Sequence, residues 1–112
     1  MSKFNELLLK YTEENQKLGL GLDEQLIESV AKDLGPSIYN EDSELVSCGD
    51  KSEIERIKSS FLIEKLGLAD SPELDSAIEA ACLLMGTSNK TKYRALLYSI
   101  LVNRFDVGPK FL

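Results

Sequence analysis

Apolar residues return every three to four positions through five separate stretches of this chain, and each stretch is bounded by residues that start or stop helices. In the first, Phe4, Leu7, Leu8 and Tyr11 follow the i, i+3, i+4, i+7 rule and predict a helix from Lys3 to Leu18 with Ser2 as its N-cap. Its far end, Tyr11 to Lys17, is polar and is expected to face water, and Gly19-Leu20-Gly21-Leu22 reads as a flexible connector. A second helix opens at Asp23, buries Leu26, Ile27, Val30, Ala31 and Leu34, and stops at Gly35-Pro36. Glycine relieves the left-handed strain just past a helix end, and proline cannot continue a helix. A third helix has an acidic capping box, Asp50 with Glu53, and sets Ile54, Ile57, Phe61, Leu62 and Leu66 along one face, widened by Ile63, until Gly67.

The fourth helix begins at Ser71-Pro72, with Glu73 and Asp75 in the first turn, where acids suit the helix dipole. It turns Leu74, Ala77, Ile78, Ala81, Cys82 and Met85 inward and ends at Gly86. The fifth opens near Thr87-Ser88 and carries Tyr93, Leu96, Leu97, Ile100, Leu101 and Phe105; as the most apolar element it is expected at the centre of the core. Between the second and third helices, Pro36 to Gly49 keeps no period, although Ile38, Tyr39, Leu45 and Val46 can pin it to the core. Irregular segments of this length are often functional or packed by their own side chains. The expectation is an all-α fold, a compact orthogonal array of about five short amphipathic helices forming a single domain over residues 1–112. A chain of this size buries roughly two-thirds of its unfolded surface, enough for one core.

Composition narrows the chemistry more than it directs it. With no histidine among 112 residues, Ser-His-Asp and Cys-His nucleophile systems and histidine-based metal sites are excluded. Two cysteines fall short of a four-ligand zinc site, so neither metal nor cofactor is expected. No apolar run reaches the roughly 18 residues of a membrane span, and Met1 to Glu6 lack a leader's basic-then-apolar pattern. The expected setting is therefore the cytoplasm, with no membrane partner. There Cys48 and Cys82 are expected as reduced thiols, Cys82 on a buried stripe and Cys48 in an exposed loop. A net charge of −6 argues against a nucleic-acid partner. The charge is unevenly spread: residues 1–56 hold 6 basic against 13 acidic side chains, and residues 57–112 hold 7 against 6. The last helix is thus a basic element on an acidic body.

Three constellations carry candidate chemistry. Ser88, Asn89, Lys90, Lys92 and Arg94 bring cations, amides and hydroxyls to the expected N-terminus of the last helix, where free N–H groups favour an anion. Lys90, Arg94 and Tyr98 share one face at i, i+4, i+8 spacing, so Arg94 can stack on Tyr98. The plainer alternative is that Ser88 caps the helix and the lysines are solvated or pair with the acidic half. Asn40, Asp42 and Glu44 alternate like calcium-loop ligands, but neither register supplies both the glycine at position six and the acid at position twelve. Cys48, just ahead of Asp50, has an acid rather than a base beside it, which disfavours a thiolate nucleophile.

The runs Leu34 to Asn40, Val46-Ser47-Cys48, Phe61 to Leu68, Asp70-Ser71-Pro72, Met85-Gly86, Ser88-Asn89-Lys90 and Lys92-Tyr93-Arg94 resemble the small bacterial family catalogued as domain of unknown function 2853. The resemblance implies a helical domain in a bacterial cytoplasm and transfers no functional residue, substrate or cofactor. Two readings of function follow from the residues. The first is a non-enzymatic protein-interaction or regulatory module, with Tyr39, Phe111 and Leu112 as candidate contacts to a protein partner or to a second copy. The second is a binder of a phosphate-bearing or other anionic ligand at the start of the last helix.

Overall fold

Helix α1 spans Lys3–Leu18 and α2 spans Glu24–Leu34, the bounds that periodicity and caps predict. The computed structural model describes residues 3–86, 88–89 and 91–107, with Glu41 and Asp42 given by backbone alone, so the expected cap at Ser2 lies outside the described residues. The Asp23 side chain accepts from the Gln25 amide at 2.8 Å to start α2. Gly35 ends it at φ 59°, a left-handed conformation that a side chain would strain. A tight 3-10 turn, Gly35–Tyr39, and a one-turn helix α3, Glu41–Glu44, follow. Helix α4, Lys51–Arg56, continues without interruption into a wider π-wound segment, Ile57–Lys65, and the two form the third long helix. Helices α5, Pro72–Met85, and α6, Arg94–Arg104, complete the array. Among the described residues there is no strand, only an isolated antiparallel bridge between Leu45 and Tyr93, so the fold is all-α as expected.

Helix α6 is the centre of the core. Every residue from Ala95 to Val102 is buried, and the helix packs against α1, α2 and α5. Being apolar on all sides is what allows a helix to sit inside rather than on the surface. Its one polar interior residue, Ser99, donates its hydroxyl to the Ala95 carbonyl at 2.7 Å, so burial leaves that oxygen satisfied. The expected inward faces of α5 and of the third long helix pack around it, although Ile54 and Ile63 are only half-buried.

Four local expectations are corrected. The polar end of α1 faces water only in part: Glu13, Gln16 and Lys17 are exposed, but Tyr11 is 0 % exposed and Asn15 is buried. Asn15 donates to the Leu22 carbonyl at 3.0 Å and accepts from the Leu22 amide at 3.1 Å, so the Gly19 to Leu22 connector is clamped rather than flexible. The capping box at Asp50 is half made. Asp50 accepts from the Ser52 amide at 2.9 Å, while Glu53 turns inward to pair with Arg94 instead of reaching back. The last helix starts at Arg94 with Tyr93 as its N-cap, well after Thr87-Ser88, because residues 92–93 are drawn off to pair with the segment around Leu45 and Val46. Thr87 itself lies outside the described residues.

Candidate functional site

Residues 45–50 form a strap across the molecule with a cleft on each side. The strap is irregular in sequence, and its placement comes from partners far along the chain. Its Val46 amide donates to the Lys92 carbonyl at 2.8 Å, next to the Leu45–Tyr93 bridge. The Arg94 guanidinium donates through Nε to the Ser43 carbonyl at 2.6 Å and through Nη2 to the Leu45 carbonyl at 3.4 Å. The Val46 side chain is buried in the core.

Arg94 is the hub of the first cleft, which has a volume of about 510 Å³. Besides the two carbonyls it pairs with Glu53 and donates from Nη1 to the Tyr98 hydroxyl at 2.9 Å. Tyr98 stacks on Phe61 with ring centroids 3.9 Å apart. Burial opposes the charge on Arg94, but Tyr98 and Glu53 outweigh it and hold the guanidinium more firmly protonated than in water. Burial pushes the Tyr98 phenol up. The hydroxyls of Ser37, Ser43, Ser47 and Ser60 line the same cleft together with Asp50 and Arg56. A second polar knot lies nearby: the Tyr11 hydroxyl donates to Glu44 Oε2 at 2.5 Å, and Lys10 Nζ lies 3.2 Å from the same oxygen. Burial, then the Glu44 carboxylate, drives the Tyr11 phenol far above its ordinary range. Glu44, third of the alternating calcium-like residues, is therefore an internal acceptor.

On the other side of the strap lies a more apolar cleft of about 490 Å³, between the Cys48 loop, α4 and α5. Ile54, Ile78 and Leu83 supply its greasy wall, and Asp75, Glu79 and Lys92 its charged ones. Cys48 and Cys82 line it and are joined by a disulfide, their Cα atoms 6.1 Å apart, an ordinary spacing for a bridge. This corrects the expectation of two reduced thiols. Pairing the strap with Lys92 and Tyr93 carries Cys48 across to α5, a juxtaposition that spacing along the chain does not reveal. Cys48 is half-buried rather than fully exposed. Beyond the cleft, the outer face of α5 shows Leu83 and Leu84 at 58 % and 61 % exposure.

Of the described residues expected at an anion site, only Arg94 stands at the start of the last helix. Ser88 and Asn89 lie in the turn before α6, where the Asn89 amide nitrogen donates to the Met85 carbonyl at 2.9 Å. The Lys92 ammonium donates to the Asn89 carbonyl, and its side chain is buried. Arg94 does occupy the first helical position, but its guanidinium turns to Glu53, with the expected approach to Tyr98 in place. Lys90 lies outside the described residues, as do Phe111 and Leu112 of the expected interaction tail. Tyr39, the remaining interaction candidate, is 49 % exposed at the end of the 3-10 turn. Sequence reasoning set Glu53 in a cap and Glu44 in a calcium-like run rather than in these internal pairs, and it missed the disulfide. The only available signal for the first was that Glu53 stands one turn before Ile57, on the buried side of its helix.

A family model described as protein of unknown function (DUF2853) matches residues 10–108, and the chain belongs to that family. No curated protein matches the chain.

Proposed function

We propose that this member of the DUF2853 family is a non-enzymatic interaction module of the cytoplasm, and that the outer face of α5 receives a partner-protein segment carrying an apolar anchor flanked by basic side chains. The observation that carries this reading is the exposed Leu83 on the rim of the apolar cleft, with Leu84, next to it in sequence, equally exposed on the same helix. Covering a leucine is worth roughly 1.5–3 kcal/mol, and single exposed leucines are common, but Leu83 stands at the rim of a cleft whose wall includes the half-buried Ile54, and the equally exposed Leu84 follows it on the next helical position. From Asp75 to Leu83 the cleft edge follows α5 for about 12 Å at 1.5 Å per residue, the length of a short helical or extended segment.

Charge selects the partner. Helix α5 carries Glu73, Asp75 and Glu79 and no basic residue. Among the described residues no ion pair holds Glu73 or Glu79, and Asp75 shares Lys58 with Asp70. An incoming lysine or arginine would meet carboxylates at the rim, which favours encounter and register more than raw affinity. Asp75 and Glu79 face solvent at the rim, and the Lys92 ammonium is tied to the Asn89 carbonyl.

The test is a fluorescence-anisotropy titration of the full chain with labelled amphipathic peptides, one set basic and one with the lysines replaced by glutamate. Binding of the basic set, weakened at least about tenfold by Leu83→Ser/Leu84→Ser, is the expected result. Equal binding of both sets, or no effect of the double substitution, refutes the reading. Concentration-dependent dimerisation lost in the same variant would assign the face to a second copy and also overturn it.

A further inference from the structure

We propose that Cys48 and Cys82 form a reversible dithiol–disulfide site that exchanges with a low-molecular-weight thiol entering the cleft between α4 and α5. The inference does not rest on the α5 docking face; it stands on where the bridge lies and on what else holds the strap.

The bridge lines an open cleft: Cys82 belongs to the edge of the core cluster, but Cys48 is only half-buried, so an attacking sulfur has a path to it from the Cys48 side. A volume of about 490 Å³ accommodates a thiol the size of a short peptide. The strap, moreover, does not depend on the bridge. Val46 stays bonded to Lys92, Leu45 stays paired with Tyr93, and Arg94 keeps both carbonyls at residues 43 and 45. The hydrophobic cluster around α6 is likewise continuous without the sulfur–sulfur bond. Both redox states therefore have a folded structure to occupy, which a reversible site requires and a purely structural staple does not. In a reducing compartment, bridges of this accessible kind are the ones that cycle.

The chemistry needs only the thiol itself as reductant. A thiolate attacks Sγ of Cys48, the less buried of the pair. The new bond is a mixed disulfide between Cys48 and the small thiol; the bond to Cys82 breaks, and Cys82 leaves as a thiolate. The cleft wall carries one positive charge, Lys92, whose ammonium is bonded to the Asn89 carbonyl, against the carboxylates of Asp75 and Glu79 on the α5 side. Cys82 then takes a proton from water. A second thiolate attacks the small-molecule sulfur, releasing Cys48 as a thiol and the oxidised small disulfide. Two electrons pass from two thiols to the protein bridge, and the reverse sequence restores it.

The test uses the full chain with reduced glutathione as probe, thiols being counted by alkylation and mass spectrometry and the fold followed by circular dichroism. The expected result is two free thiols per chain with the helical signal and a cooperative melt retained, and reoxidation by oxidised glutathione. Reduction without denaturant, at a rate unchanged by low urea, separates a native site from one exposed by unfolding. Challenged with oxidised glutathione, whose disulfide the lone thiolate attacks to release one reduced glutathione, Cys82→Ser is expected to trap glutathione on Cys48 faster than Cys48→Ser traps it on Cys82. The proposal is overturned if thiols appear only at the global unfolding rate, if the reduced chain is unfolded, or if the two single variants are glutathionylated equally. The wild-type urea dependence decides the matter even where a variant does not fold.

Discussion

Replacing Arg94 by methionine tests whether a buried ionic hub organises this fold. The substitution keeps most of the side-chain volume and removes the charge. The Glu53 carboxylate, with a side chain only 10 % exposed, then loses its close partner and keeps Arg56 at 3.6 Å. The carbonyls of Ser43 and Leu45 and the Tyr98 hydroxyl lose their donor as well. Stranding one member of a buried pair costs roughly 3–5 kcal/mol, and the residual contact with Arg56 puts this case near the lower end, about 3 kcal/mol. For a domain of this size that lowers Tm by roughly 10–15 °C. The diagnostic is a double-mutant cycle. Arg94→Met/Glu53→Leu removes the stranded charge along with its partner, so it is expected to be more stable than Arg94→Met alone, with a coupling of about 2 kcal/mol. Urea unfolding followed by circular dichroism measures all four corners. A cost below about 1 kcal/mol for Arg94→Met, or strict additivity of the two substitutions, would show that the pair is a surface-type ion pair and refute the hub.

Three other outcomes follow from the same geometry. Cys48→Ser/Cys82→Ser opens a loop with a sequence separation of 34, which loop-closure entropy values at up to about 4 kcal/mol; thermal melts of this variant should fall yet remain cooperative, and a molten product would contradict it. Because the Tyr11 phenol is held protonated in the native state, only the unfolded chain releases that proton above about pH 10, so stability is intact below this pH and falls above it by up to about 1.4 kcal/mol per pH unit; Tyr11→Phe should flatten the slope in urea titrations across that range, and an unchanged slope would remove Tyr11 as its source. Asn15→Ala strands the buried amide and carbonyl of Leu22 and should cost about 2 kcal/mol, with faster hydrogen exchange at Leu22; an unprotected Leu22 amide in the parent chain would refute the clamp.

What the sequence could and could not convey divides along a physical line. Asp23, Asp50, Gly35 and Gly86 act on their own immediate neighbours, so the ends of the first four long helices are legible from local chemistry. The inward faces of α5 and α6 are legible too, because burial of apolar residues repeats with the helical period. Asn15, Glu44, Glu53 and Arg94 look like solvated surface in any local reading, since the groups that compensate their burial lie up to 51 residues away. The disulfide is hidden for the same reason. The misplaced start of α6 is the clearest case: Thr87-Ser88 is a sound capping signal, but long-range pairing of residues 92–93 with the strap competes with continued winding and wins. The candidate site was thus legible only as the presence of Arg94, with its companions and direction set by tertiary contacts.

The strap also orders events in time. Its anchors at residues 92–94 sit at the start of the most buried helix, so the strap's final placement is expected to require α6 docked against α2 and α5. Closing a contact that spans about fifty residues carries its entropy cost before any reward, which slows such steps relative to the winding of α1 or α5. Both clefts are walls of this late-arriving segment. A nascent or partly refolded chain is therefore expected to present neither of them, so that competence to engage anything there belongs to the finished molecule.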